Sequence, residues 1–404
     1  MGRRSVPVKN TFIRKPSGLE AFFIDLDECG CNMTFHFYLE LDKKPDLSVL
    51  NEAMRQMLKT HSGVNMKLHR NAWYTTSYNP SCKIIDVAGE DLEQYKPSRL
   101  NFHKHTVALN VLHATVSDTW YLCFDFFHGV VDGRSGIQFV YDFFDVLNDR
   151  KLPDMEFTLK DRELVHDTKK AAWKKNSRPA FTVLPECAPT DWHAGKKGEA
   201  KTAILRHDGT IRCAAARFSD LVGRYFGKKS AKMIIPVDVR RHAGDTDKAM
   251  FGNLFIPMFL DVKSCEAWSD MRNEIIDFVK QKPRLMSVAE KLNIYTKFPA
   301  KLRQTIIRAA IPLVMASKKF IYCALVSALG NIDSEKLMSD AFNVLDYTVT
   351  FVSFPFTAFT VISLQFKGHT NTTVSWHSGR VPEQTAHDLM EDINECMDSQ
   401  VAVG

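Results

Sequence analysis

The sequence lacks the features that define several protein classes. Its 404 residues contain no low-complexity tract and no internal repeat, which excludes fibrous, solenoid and disordered chains. The formal net charge is only +6, too small to indicate a nucleic-acid-binding protein. The longest apolar helical stretch, 306–316, contains Pro312 and is too short to span a bilayer. We therefore predict a cytoplasmic protein that has no transmembrane segment and binds no nucleic acid.

The cysteines do not form a recognisable metal or disulfide framework. There are nine, an odd number, and they are scattered along the chain. Such a pattern is typical of reduced thiols rather than of a secreted, disulfide-bonded protein. Cys29 and Cys31 are the one close pair, and no second pair or neighbouring histidine completes a zinc site. We expect no metal site and no tightly bound cofactor.

The length favours two subdomains, because 404 residues exceed the usual size of a single hydrophobic core. Lysine, arginine and proline accumulate between about 150 and 200, which predicts an exposed crossover and subdomains at 1–190 and 191–404. Residues 1–30 are interpreted as mixed loop. Predicted strands lie at 33–41, 82–87, 105–114, 119–127, 232–239, 253–262, 320–327, 347–365 and 370–376. Predicted helices lie at 47–61, 134–149, 213–227, 265–281, 285–319 and 383–398. The fold class is α/β (α+β), two similar subdomains that each consist of a mixed sheet covered by helices.

The most informative segment is His128-Gly129-Val130-Val131-Asp132-Gly133, directly after the apolar strand 120–127. An imidazole at the end of a buried strand has little freedom and can act as a general base. Gly133 permits a tight turn, and Asp132 can fix its geometry. The alternative is a structural core histidine beside an Asp-Gly turn. Orientation of His128 by Asp125 is disfavoured, because strand alternation directs Asp125 to the opposite face.

Three later segments accompany this string: Pro236-Val237-Asp238-Val239-Arg240, Phe251-Gly252-Asn253, and Val326-Ser327-Ala328-Leu329-Gly330. Their order and spacing resemble the superfamily of chloramphenicol acetyltransferase, the BAHD acyltransferases, alcohol acetyltransferases and peptide-synthetase condensation domains. The resemblance covers most of the chain and implies a chloramphenicol acetyltransferase-like fold with an active-site tunnel between the two subdomains.

The resemblance also implies roles for individual residues. His128 matches the catalytic histidine that deprotonates the acceptor, and Asp132 matches a structural aspartate that pairs with an arginine, here Arg240. Gly252 and Asn253 match a Gly-Asn element near the subdomain crossover.

The last match, Ser327, belongs to a Ser-Asn-x-Gly element near the acyl group and is a candidate substrate or oxyanion contact. In this chain Ala328 replaces the asparagine of that element, and Phe127 stands where related proteins often have a second histidine. The Asp-Phe-Gly-Trp-Gly string of BAHD enzymes is absent, which argues against a plant-type BAHD enzyme.

The expected activity is transfer of an acyl group from acyl-coenzyme A, as co-substrate, to a hydroxyl or amine of a small-molecule or lipid acceptor. One alternative is a free-standing condensation-type enzyme that takes its acyl group from an acyl-carrier protein. Another is a non-catalytic binding protein on the same fold. Lysine pairs such as Lys196-Lys197 could receive coenzyme A phosphates or an acidic carrier, although most such pairs are solvated surface. The basic stretch 301–319 could contact a membrane if the substrate is a lipid, but a packing helix is favoured.

Overall fold

A computed structural model gives the architecture of the chain. It describes residues 11–60, 63–78, 81–89, 92, 95, 99–152, 155–165, 199–226, 231–243, 249–262, 267–316, 320–351, 354 and 356–401. The predicted subdomain boundary at 190/191, together with Lys196-Lys197, lies outside these ranges, so that division of the chain stays a prediction.

Helices and strands alternate irregularly along the chain. The helices are α1 (Gly18–Glu28), α2 (Leu47–Thr60), α3 (Gly133–Leu147), α4 (Asp161–Val165), α5 (Ala214–Arg224), α6 (Trp268–Lys280), α7 (Lys282–Tyr295), α8 (Ala300–Ala316) and α9 (Glu383–Val401). The strands are β1 (Phe12–Arg14), β2 (Thr34–Leu41), β3 (Met66–His69), β4 (Ala72–Thr75), β5 (Ile84–Val87), β6 (Val107–Ala114), β7 (Thr119–Phe127), β8 (Met155–Glu156), β9 (Ala200–Asp208), β10 (Ala231–Asp238), β11 (Ala249–Met250), β12 (Phe255–Val262), β13 (Tyr322–Asn331), β14 (Val344–Phe351), β15 (Thr357–Phe366) and β16 (His369–His377).

Two large sheets organise the molecule. The first has the strand order β14-β2-β7-β6-β5, and the second has the order β12-β10-β13-β15-β16-β9. Both are mixed, since β5 runs parallel to β6 in the first sheet, and β13 runs parallel to β10 and β15 in the second. Helices cover each sheet, and each has its own buried apolar core. The predicted α/β class with two helix-covered mixed sheets is therefore confirmed.

The first 30 residues correct the sequence prediction. They were interpreted as loop, but β1 and α1 occupy much of the segment. Ser17 and Glu20 form a reciprocal capping box at the start of α1, in which each side chain bonds the other's main-chain N–H. Such a cap satisfies main-chain donors that a helix start otherwise leaves free. The Ser-x-x-Glu spacing was the signal in the sequence for this helix start. The helix α1 itself packs against the interior.

One strand crosses between the two halves of the sequence. β14 comes late in the chain, between β13 and β15 of the second sheet, yet it pairs antiparallel with β2 at the edge of the first sheet. Its register brings Phe351 opposite Phe35. The predicted strand 347–365 is in fact two strands in different sheets. Pro355, between them in the sequence, was the signal for the break.

Among the described residues, no helix is both long and apolar enough to cross a bilayer.

Candidate active site

His128 lies immediately after β7, and its main chain is held from two directions. Its N–H donates to the carbonyl of Met33, just before β2, at 2.8 Å. Its own carbonyl accepts a hydrogen bond from Asn253 Nδ2 at 2.5 Å, and Asn253 stands just before β12 of the second sheet. The backbone that carries the imidazole is therefore fixed by residues next to both sheets.

Four phenylalanine rings surround the imidazole. Phe23 of α1 stacks on it, with ring centroids 4.6 Å apart and planes inclined by 12°. Phe35 of β2 and Phe351 of β14 each lie 5.2 Å away and present an edge-to-face arrangement. Phe255 of β12 lies at 5.7 Å. We call these four rings the phenylalanine cage. It orients His128 by packing and keeps bulk water away from the ring.

This apolar environment controls the charge of the histidine. Burial lowers the pKa of His128 to about 4, although Asp132 and nearby main-chain groups raise it in part. The Nδ1 atom is buried and has no hydrogen-bond partner in the described part of the chain. The ring is thus neutral at physiological pH, and its orientation does not depend on a bonded carboxylate. A neutral imidazole at a cavity wall can accept a proton.

Asp132 immediately precedes α3 and is its N-cap residue. Its carboxylate caps the helix by accepting from Ser135 N–H at 2.8 Å. It also accepts from Leu254 N–H at 2.7 Å and from Arg240 Nη2 at 2.9 Å on each oxygen. The structure therefore brings Asp132 and Arg240 together as an ion pair between the first turn of α3 and the end of β10.

Arg240 and Gly252 complete this polar junction. Arg240 Nη2 also donates to Ser135 Oγ at 2.6 Å and to the Gly252 carbonyl at 3.1 Å. Ser135 Oγ bonds both the N–H and the carbonyl of Gly252, each at 2.9 Å. Gly252 has φ of +153°, a conformation that side chains disfavour. Asn253 follows and reaches the His128 carbonyl, so the junction sets the position of the base.

Gly133 lies close to β13. A Cβ atom built on this residue would lie 2.5 Å from Leu329 Cδ2. A side chain at position 133 would therefore require the end of the Leu329 side chain, on β13, to shift.

A cavity of about 170 Å³ opens beside His128, between the two sheets. The first sheet contributes Phe35, Val349 and Phe351 to its lining, and the second contributes Phe255, Ser327 and Ile362, among others. Ser327 supplies a hydroxyl group, and Asp132, Arg134, Asp238 and Arg240 add charged groups to the lining. Arg134 and Ala328 are exposed residues in the lining. An imidazole, a hydroxyl and apolar walls in one cavity can hold an uncharged carbonyl compound and remove a proton from its reaction partner.

Asp125 is directed to the opposite face of the first sheet, as strand alternation predicts. Its carboxylate accepts from His36 Nδ1 at 2.6 Å, from Asn110 Nδ2 at 3.1 Å and from Cys123 Sγ at 3.2 Å. It is not part of the cavity that contains His128. His36, Cys123 and Asp125 form the one group of three potential metal ligands found within the described ranges. His36 and Cys123 both bond the carboxylate of Asp125.

Sequence reasoning did not identify the phenylalanine cage. Phe255 lies two residues after the predicted Asn253, which offered a weak signal. Phe23 belongs to a segment interpreted as loop, and Phe351 reaches the site only because β14 crosses to the first sheet. No local pattern indicates such contacts.

Comparison with known proteins supports the fold. No family model matches the sequence, and no curated protein matches it. Among solved structures, the chain is similar to the condensation domain of the monacolin K polyketide synthase, with TM-score 0.60, 12% identity and 95% of both chains covered. It is also similar to the epimerization domain from the third module of tyrocidine synthetase B, with TM-score 0.60, 11% identity and coverage of 97% and 98%. Polyketide synthase associated protein 5 from Mycobacterium tuberculosis gives TM-score 0.57 at 14% identity, with coverage of 94% and 96%. The chain therefore has the condensation-domain fold, which the superfamily suspected from the sequence shares.

Proposed function

We propose that this protein is an acyltransferase that moves an acyl group from a coenzyme A thioester to a hydroxyl or amine of a small-molecule or lipid acceptor. The observation that carries the proposal is the neutral imidazole of His128, fixed by residues next to both sheets and facing a cavity between them. A structural histidine has no need of such a cavity.

In the proposed reaction, His128 accepts the proton of the acceptor O–H or N–H as the acceptor oxygen or nitrogen attacks the thioester carbonyl. A tetrahedral oxyanion forms, and we place the Ser327 hydroxyl near it as a hydrogen-bond donor. Collapse of the intermediate breaks the carbon–sulfur bond, and the imidazolium returns its proton to the leaving thiolate. General-base catalysis of this kind contributes about 10²- to 10⁴-fold in rate.

The remaining predicted residues hold the base in place. Asp132 and Arg240 join α3 to β10, and Gly252 and Asn253 connect that junction to the His128 carbonyl. Asp132 and Arg240 line the cavity but are bonded to each other, and Gly252 and Asn253 do not line it, so we assign all four a positioning role. Asp132 in particular is not a charge-relay acid, since its carboxylate is occupied by Arg240 and two main-chain N–H groups.

The experiment that tests the proposal measures release of free thiol from a panel of acyl-coenzyme A esters with alcohol and amine acceptors. Replacing His128 with alanine should lower turnover by about 10²-fold or more. His105→Ala is the matched control, because His105 is also partly buried with a pKa lowered by burial and does not line the cavity. Full activity in His128→Ala would refute the role of the base. Absence of thiol release by the unmodified protein with every ester and acceptor would instead leave a binding function on this fold.

The donor is tested separately. The similarity to condensation domains of polyketide and peptide synthases favours an alternative in which an acyl-carrier protein supplies the thioester. Parallel assays with an acyl-coenzyme A ester and with the same acyl group on a carrier protein distinguish the two donors. Turnover with the acyl-carrier protein and none with the acyl-coenzyme A ester would overturn the coenzyme A assignment while leaving the role of His128 intact.

A further inference from the structure

Helices α7 and α8 carry an unusual apolar surface. Ile294, Phe298, Leu302, Ile306 and Leu313 are each between 46% and 71% exposed. The other six large exposed apolar side chains in the described part of the chain are well separated in the sequence, apart from Met338 and Leu345: Phe12, Val49, Tyr78, Val116, Met338 and Leu345. We call these five residues the α7–α8 stripe. On α8 the spacing of Leu302, Ile306, Ala309 and Leu313 places them on one helix face, and Ala309 is also exposed.

The opposite face of α8 already fulfils the structural role expected of a packing helix. Ile307 is buried in the core of the first sheet and Ile311 packs against that core. Arg303 donates to Asp25 of α1 at 2.6 Å, and Gln304 donates to the same carboxylate at 3.1 Å. The helix is thus anchored without the stripe. Packing alone explains one face of α8 and leaves the other, apolar face unexplained.

The charge around the stripe is mostly basic, and Glu290, one helical turn before Ile294, pairs with Arg162 at 2.8 Å. No acidic residue occurs in the sequence between Glu290 and Asp333. Lys297, Lys301 and Arg308, which border the stripe, are exposed. The acidic groups next to α8 belong to α1 and are engaged, since Asp25 bonds Arg303 and Glu28 pairs with His103 at 2.8 Å. The surface therefore presents apolar side chains flanked by basic ones.

We infer that the α7–α8 stripe docks onto the surface of an anionic lipid bilayer. An amphipathic helix with aliphatic and aromatic residues on the outer face and lysine or arginine beside them lies in the interface between headgroups and acyl chains. Acidic headgroups neutralise the basic residues. A second copy of this chain would instead bring Lys301 and Arg308 against the same residues of its partner, with no local acid to compensate them.

The position of the stripe connects the membrane to the cavity. α8 packs on α1, and Phe23 of α1 stacks on the imidazole of His128. Only one helix therefore separates the docked surface from the candidate base. If the proposed acyl transfer is correct, a lipid acceptor is the substrate class that this arrangement serves. The docking itself does not depend on that activity.

The test is flotation of the whole protein with phosphatidylcholine vesicles, with and without phosphatidylserine. We expect binding to the vesicles that contain phosphatidylserine, weakened by high salt. The triple variant Leu302→Ser, Ile306→Ser, Leu313→Ser should bind about a hundredfold or more weakly, because the removed side chains no longer enter the interface. Lys301→Gln should weaken binding about fivefold.

Two controls separate docking from other effects. Val116→Ser, Met338→Ser, Leu345→Ser removes exposed apolar residues outside the stripe and should bind like the unmodified protein. His128→Ala should also bind normally, so loss of acyl transfer and loss of docking can be distinguished. Absence of vesicle binding, or equal binding by both triple variants, would overturn the inference. The inference would also be overturned if the protein formed a dimer, or a complex with an acyl-carrier protein, that the stripe triple variant disrupts and the control triple variant does not.

Discussion

The ion pair between Asp132 and Arg240 supports a prediction with an internal control. Arg240 contacts two carboxylates, Asp132 through Nη2 and Asp238 through Nη1, both at 2.9 Å. The side chain of Asp132 is only 6% exposed and that of Asp238 is 41% exposed. Asparagine at either position removes one negative charge opposite the same guanidinium. Any difference between the two variants therefore reports the burial of Asp132 together with its hydrogen bonds to Ser135 N–H and Leu254 N–H.

Asp132→Asn should cost about 3–5 kcal/mol of unfolding free energy, because Arg240 loses its buried partner and keeps only the more exposed Asp238. Both carboxylate oxygens of Asp132 accept hydrogen bonds, from Ser135 N–H, Leu254 N–H and Arg240. An asparagine at position 132 would replace one of these oxygens with an NH₂ group, which would then face a hydrogen-bond donor. Asp238→Asn should cost no more than about 1 kcal/mol, as expected for a solvent-exposed pair.

Urea denaturation of the two variants, followed by circular dichroism, measures this difference. A third protein, Asp132→Asn with Arg240→Met, should regain part of the loss, since removing both charges of a buried pair costs less than removing one. Equal destabilisation by Asp132→Asn and Asp238→Asn would refute the argument. The rate of acyl transfer by Asp132→Asn should also fall, because Asn253, next to this junction, holds the carbonyl of His128 and its movement would displace the base.

Three further predictions concern His128 and Gly133, which line the cavity. As the pH is lowered, kcat/KM should fall with an apparent pKa of about 4, because burial lowers the pKa of His128 to that value and the ring stays neutral above it. A decline of kcat/KM around pH 6.5, the ordinary histidine value, would contradict this. The same shift predicts that stability is full above about pH 6.5 and declines toward pH 4, where the unfolded chain binds a proton that the folded ring resists. Gly133→Ala should destabilise the protein by about 1–3 kcal/mol through overpacking, since the new Cβ would lie 2.5 Å from Leu329 Cδ2. Adding Leu329→Ala should recover part of that loss in thermal denaturation, and no recovery would show that the strain lies elsewhere.

Local patterns in the sequence were sufficient for much of the fold. The alternation and length of 119–127 predicted β7, and the apolar spacing after Gly133 predicted α3. Together these placed His128 at a strand end and directed Asp125 to the other face, where it bonds His36. These features depend on neighbours within a few residues, so a single sequence contains the necessary information.

Contacts between distant segments were beyond the same reasoning. Phe351 lies next to His128 because β14 joins β2, and strand pairing across hundreds of residues has no local signature. For 301–319 the sequence left membrane contact as an alternative and favoured a packing helix, because an apolar residue in an amphipathic helix is normally assigned to the core. Leu302 and Ile306 are apolar but face outward, and only the packing of α8 on α1 shows which side is free.

The pairing of β14 with β2 also determines whether the chain can be divided into two stable fragments. A fragment ending near residue 190 would contain β2 without β14, and the unpaired edge of β2 that it exposes is rich in aromatic residues. Unprotected edges of this kind favour aggregation. The complementary fragment would carry β14 with no sheet to join. Expression of the halves as separate polypeptides should therefore give insoluble products, and co-expression should be required before either one assembles.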